Sequence, residues 1–198
     1  MNLIHHLPVL LIILPLSASL LSPILSKLWK QLGRILVIAS LAASFLCAIG
    51  LLCQVLSASS GQIHYYMGNW EPPLGIEFVI DPLNALLVLF ITFIALCTSV
   101  YCGNFLQHKR WIQTGGFFTL IGLLTVGLCG MTLTGDVFNL YVFLEVASIS
   151  CYGLVALGGG KSILAAFRYL LVGTVGASFY LIAVGILYSM TGTLNMAD

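Results

Sequence analysis

Glu145 shares one helical face with Tyr141, Ser148 and Tyr152, which stand at offsets of −4, +3 and +7 from it. At 100° per residue, these four side chains form a narrow polar stripe on an α-helix. The surrounding run, VFNLYVFLEVASISCYGLVAL over 137–157, holds no other charge and is long enough to cross a bilayer. An acid at the membrane midplane costs on the order of 2.5–3.5 kcal/mol, so it is kept for a partner or a task. Two roles fit. Low-dielectric surroundings favour a neutral carboxyl and a nearby cation favours the charged form, so an acid balanced between them can relay protons near neutral pH. Alternatively, a protonated glutamic acid hydrogen-bonds its neighbours and glues helices together. Glu145 lies nine residues after Asp136. That is about 13 Å of helix rise, close to the middle of a ~30 Å hydrocarbon core.

Arg168 is the second deep candidate, about one and a half turns into the next apolar run. Its side chain either snorkels to the interface or faces a hydrated path towards Glu145. Helix rise separates the two in depth by roughly 8–11 Å, so no direct ion pair is implied. His5, His6, His64 and His108 fall at segment ends or in loops, without metal-ligand spacing, and read as solvated. Cys47, Cys53, Cys97, Cys102, Cys129 and Cys151 form no CxxC pair and read as small apolar fillers. Gly160-Lys161-Ser162 lacks the upstream glycine and the strand of a phosphate-binding loop. No metal, cofactor or nucleic-acid partner is expected.

The elements that position these residues follow from composition. The chain is 60% hydrophobic and 7% charged, against roughly 25% charged in soluble domains. Its apolar runs are about twenty residues long and do not alternate, which indicates spanning helices and excludes barrel strands. The expected fold is all-α: a polytopic transmembrane helix bundle with six spans, Leu7–Ser26, Ile35–Ser57, Asn84–Asn104, Gly115–Leu133, Val137–Leu157 and Ile163–Met190. The last is longer than one crossing needs and is expected to tilt or bend near Gly173 and Gly176. Lys27, Lys30 and Arg34 follow the first span, Lys109 and Arg110 the third, and Lys161 and Arg168 the fifth. These are alternate connections, so the positive-inside rule makes them cytoplasmic and puts both termini outside. No Lys or Arg precedes the first span, which therefore reads as a retained helix and not a cleaved signal.

The outer connection 57–80 contains Pro72-Pro73 and the aromatics Tyr65, Tyr66 and Trp70, which suit the headgroup belt. The alternation from Gly75 to Ile80 permits a short strand. Asp81-Pro82 reads as the cap and first turn of span three, and Asp136 as the cap of span five. Gly158-Gly159-Gly160 ends span five. Ala165, Ala166, Gly173, Gly176 and Ala177 let span six approach its neighbours closely.

The string Thr134-Gly135-Asp136-Val137-Phe138-Asn139-Leu140-Tyr141-Val142-Phe143-Leu144-Glu145 resembles the fifth-helix signature of a known family. That family is the antiporter-like subunits of respiratory complex I, Mrp-type antiporters and membrane-bound hydrogenases. Asp81-Pro82-Leu83-Asn84-Ala85-Leu86 fits the family's third helix. Ala165-Ala166-Phe167-Arg168-Tyr169-Leu170-Leu171 and the run from Tyr188 to Asp198 look most like the Mrp D-type branch. The resemblance implies a proton-conducting half-channel in which Glu145 matches a glutamate that partners a lysine on helix seven. Arg168 stands where relatives often carry a lysine, and a guanidinium keeps the charge but does not titrate.

The chain stops after helix six, so it is expected to be the N-terminal part of such a subunit. The expected divisions are a two-helix segment over 1–58, an outer loop plus third helix over 59–104, and the start of the conducting module over 105–198. The implied function is a membrane subunit of a cation/proton antiporter or complex I-like assembly in the cell (inner) membrane. It would not be catalytic alone. Its expected partners are other membrane subunits, the lipid bilayer, protons and Na+. The alternative is a non-conducting structural or assembly subunit.

Overall fold

The computed structural model describes residues 6–29, 31–58, 61–70, 75–105 and 111–197. In chain order its elements are α1 (Leu7–Leu28), α2 (Leu32–Ser57), β1 (Ile63–Tyr66), β2 (Glu77–Ile80), α3 (Pro82–Phe105), α4 (Trp111–Leu133), α5 (Val137–Ala156) and α6 (Lys161–Thr191). All six helices are long and apolar enough to cross a membrane, and they match the six expected spans to within a few residues at each end. α6 runs as one unbroken helix of 31 residues, about 46 Å at 1.5 Å per residue.

Helices α1 to α4 form the core. Near the hairpin, Leu11, Leu51, Val55, Phe78, Ile80 and Val88 pack in one cluster. Towards the opposite end, Ala18, Val37, Leu41, Ala95, Phe118 and Ile121 form a second. Small residues allow these helices their close approach, as lipid supplies no hydrophobic drive for helix association. A methyl group on Gly33 of α2 would lie only 2.5 Å from the Ser22 carbonyl oxygen, and one on Gly122 of α4 would lie 3.2 Å from Ser19 Cβ. α1 therefore sits directly against both α2 and α4, with Ser19, Ser22 and Ser26 buried between them.

α5 adds to the outside of α4, and α6 to the outside of α5. Only Ala166, Ala177 and Val184 of α6 are buried. They fall within about 20° of one another on the helix, so one narrow stripe, which half-buried Gly173 and Tyr180 extend, makes the contact and most of the rest of α6 is exposed.

The short strand expected over Gly75–Ile80 is real but begins at Glu77. It pairs antiparallel with β1 in the register Ile63↔Ile80, His64↔Val79, Tyr65↔Phe78 and Tyr66↔Glu77. The aromatics Tyr65 and Tyr66 are thus strand residues, where the sequence suggested only a headgroup-level cluster. Asp81 caps α3 as expected, its Oδ1 accepting the Asn84 N–H at 2.7 Å. Apart from Glu145 and Arg168, which lie within α5 and α6, the charges of the described residues separate by end. Glu77, Asp81 and Asp136 lie at the hairpin end, while Lys27, Arg34 and Lys161 lie at the other. Lys30, Lys109, Arg110, Glu71, Pro72-Pro73, His5, His108 and Asp198 lie outside the described residues.

Candidate functional site

α5 begins where Asp136 Oδ1 accepts the Asn139 N–H at 2.6 Å, satisfying one of the helix's orphan donors. Asn139 Nδ2 in turn donates to Thr134 Oγ1 at 2.9 Å, so the tight α4–α5 turn is bonded to the first turn of α5. Farther along, α4 presses its Gly127 against the backbone of Phe143 and Ala147. Those two residues lie about 160° from Glu145, one on each side of the point opposite it. α4 therefore holds the back of α5, and the Glu145 side is left for other neighbours.

Part of that side meets α6. Tyr141 stacks on Tyr180 with ring centroids 6.1 Å apart and planes 9° from parallel. Tyr180 Oη donates to the Val137 carbonyl at 3.2 Å. Tyr152 meets Tyr169 edge-on at 4.7 Å and lies against Gly173, which has no side chain to obstruct it. The tyrosine pairs bracket Glu145 along the helix, and half-buried Ser148 lies between them. The four residues of the stripe therefore share the α6 side of α5.

Glu145 itself is half-buried at the margin of this contact. Within about 60° on its other side stand Phe138, Val142 and Ile149, which are 45%, 41% and 60% exposed. Among the described residues, no helix packs over that sector. Among the described residues the Glu145 carboxylate has no hydrogen bond and no ion pair.

Arg168 is not brought to Glu145. It is exposed and points about 160° away from the Ala166–Gly173–Ala177 stripe by which α6 contacts α5. Of the histidines, His6 Nδ1 is 2.9 Å from Tyr65 Oη, and His64 is paired with Glu77. Both have side-chain partners, which the sequence did not suggest, although His64 also keeps its contact with solvent.

Glu77 is the residue that sequence reasoning missed. It reads as a loop acid, yet only 5% of it is exposed. One carboxylate oxygen meets His64 Nδ1; the other accepts from Asn195 Nδ2 at 2.9 Å. Its backbone oxygen accepts the Gly135 N–H at 2.9 Å. The signal for its burial lies in Asn195, 118 residues away, and no local pattern carries it. No group of three or more His, Cys, Asp or Glu able to hold a metal occurs among the described residues. The six cysteines are free.

The family model for the transmembrane region of NADH:quinone oxidoreductase and Mrp antiporters matches residues 134–198, from the α4–α5 turn through the stretch after α6. The N-type subunit of the NADH-quinone oxidoreductase of Desulforudis audaxviator is 45% identical over 193 residues, covering 98% of this chain and 38% of that protein. The D-type subunit of a probable K(+)/H(+) antiporter of Rhizobium meliloti is 36% identical over 202 residues, covering 98% of this chain and 36% of that protein. Among solved structures, a component of the archaeal membrane-bound sulfane sulfur reductase, a respiratory membrane complex, superposes with a TM-score of 0.88 at 34% identity. That match covers 96% of this chain and 38% of the other. The chain thus spans less than two-fifths of the length of each of these relatives. It is a multi-pass membrane protein of the antiporter-like subunit family that NADH:quinone oxidoreductases and Mrp antiporters share.

Proposed function

We propose that this chain supplies part of a transmembrane proton path in a cation/proton antiporter or complex I-like assembly, with Glu145 as the relaying group. The observation that carries this reading is the position of Glu145. It is an acid within an apolar span, unpaired among the described residues, and flanked by tyrosines on one side and an uncovered sector on the other. A carboxyl so placed is available to a group from a neighbouring helix or to a hydrated path. The partners are other membrane subunits, which the bare faces of α5 and α6 can receive, with protons and Na+ as the transported ions. The assembly sits in the cell (inner) membrane. The hairpin end and both termini face outward, because the described Lys and Arg gather at the opposite end.

A second reading, a non-conducting structural role, draws on Arg168. The one cation on α6 beyond its first turn faces away from Glu145, leaving Glu145 without a basic neighbour among the described residues. One substitution separates the two readings. Glu145→Gln keeps size and hydrogen bonding but cannot ionise. In vesicles carrying the complete complex, it is expected to lower proton-coupled flux by at least about tenfold while assembly stays intact. Glu145→Asp should retain part of the flux. Normal flux in the Gln variant, with normal assembly, would leave Glu145 as helix glue.

A further inference from the structure

Four separate stretches of chain converge on Glu77. They are β1 through His64, β2 through Glu77 itself, the α4–α5 turn through Gly135, and the strap after α6 through Asn195. The strap is laid on the turn by backbone bonds, Val137 N–H to Leu194 O and Met196 N–H to Gly135 O, each 2.9 Å. An isolated antiparallel bridge between Asp136 and Asn195 completes the pairing. The side-chain tie across this junction is Asn195 to Glu77.

We propose that the Glu77–His64 pair is a proton-sensing latch that docks the strap after α6 while Glu77 is ionised and releases it on acidification. The chemistry follows from donor and acceptor counts. Asn195 Oδ1 already accepts the Ala197 N–H at 2.8 Å, which fixes the amide with its NH2 turned to Glu77. An ionised Glu77 accepts from both His64 and Asn195. A protonated Glu77 must donate one O–H, but protonated histidine and the amide NH2 are both donors, so one contact breaks. Raising the pH does not have this effect, since neutral histidine with its proton on Nδ1 still donates. Stability that depends on an ionised carboxylate is present above its protonation range and is lost as pH falls through it. His64, with its side chain 46% exposed, connects the buried acid to solvent.

The other titratable groups on the surrounding elements are otherwise engaged. Asp136 caps α5 and Asp81 caps α3. Tyr65 and His6 meet each other. Tyr66 stands opposite Glu77 in the strand register and is 37% exposed. The latch is independent of any role for Glu145.

Hydrogen–deuterium exchange of the full chain in lipid nanodiscs tests it, read over residues 193–197, clear of the turn that Asp136 caps, and corrected for intrinsic rates. Between about pH 7.5 and about pH 3, protection of this segment is expected to fall by at least about tenfold. Glu77→Gln should give protection that does not change with pH. Asn195→Asp places a second carboxylate against Glu77, so its protection should rise on acidification as the two share a proton. Protection in the unsubstituted chain that ignores pH would overturn the latch. So would an Asn195→Asp response in the same direction as the unsubstituted chain, and this second arm stands even if Glu77→Gln fails to fold.

Discussion

Replacing Gly127 with alanine drives a methyl group into the backbone of the helix that carries Glu145. The added Cβ would lie 2.7 Å from Ala147 N and 2.8 Å from Phe143 O. Those two atoms form one rung of α5's own hydrogen-bond ladder, so no side-chain rotation relieves the overlap. Ordinary contact begins at 3.4 Å, and α5 must retreat by about 0.7 Å or the rung must bend. Overpacking of this kind costs about 1–3 kcal/mol. Alanine recovers roughly 1 kcal/mol of helix propensity over glycine. Gly116→Ala, on the same helix, is the control, because its Cβ would meet Leu157 Cδ2 at an ordinary 3.8 Å. The propensity gain is common to both variants, so their difference isolates the overlap at about 1–3 kcal/mol. At roughly 2–4 °C per kcal/mol for a chain of this size, Gly127→Ala should melt below Gly116→Ala by about 2–12 °C. Both would be followed by size-exclusion fluorescence in one detergent. Equal midpoints, or a higher one for Gly127→Ala, would refute the close α4–α5 contact. The displacement also falls two residues from Glu145, and a shift above about 0.5 Å is enough to disturb a positioned group.

The α5–α6 contact admits a parallel comparison. Gly173→Ala brings a Cβ to 2.8 Å from Tyr152 Cζ, whereas Gly176→Ala meets nothing within 4 Å. Gly173→Ala should lower the melting midpoint relative to Gly176→Ala by about 1–3 kcal/mol equivalent, and equal midpoints would place Tyr152 elsewhere. For orientation, topology reporters fused after Lys30 and after Gly160 should both report the cytoplasm; a signal from the far side at either position reverses the assignment.

The spans were legible because hydropathy over twenty residues is a local property. So were the caps of α3 and α5, since Asp81 and Asp136 bond to N–H groups three residues on. The direction of Arg168 was also present in the sequence. Ala166, Gly173 and Ala177 mark the close-packing stripe, and 100° per residue puts Arg168 on the other side. The burial of Glu77 was not legible. A lone acid beside glycines and prolines reads as solvated loop, and its enclosure depends on pairing with β1 and on a strap more than a hundred residues later. β1 is four residues long, too short for its alternation to stand out, and its partner was needed to reveal it.

The contact of α1 with α4 sets a schedule for how the protein is made. Ser19 meets Gly122, 103 residues farther along the chain. At about 5–20 residues per second, a ribosome needs roughly 5–20 s to deliver α4 after the serine face of α1 has emerged. For that interval Ser19 faces lipid or the insertion machinery instead of α4, whereas Ser22 and Ser26 meet Gly33 of α2 as soon as that helix is made. Ser19 meets the wait with an internal bond, its Oγ donating to the Pro15 carbonyl at 2.6 Å, a carbonyl within its own helix. α5 and α6 incur no such delay, as each packs on the helix made just before it, and the protein closes its core before its outer two helices arrive.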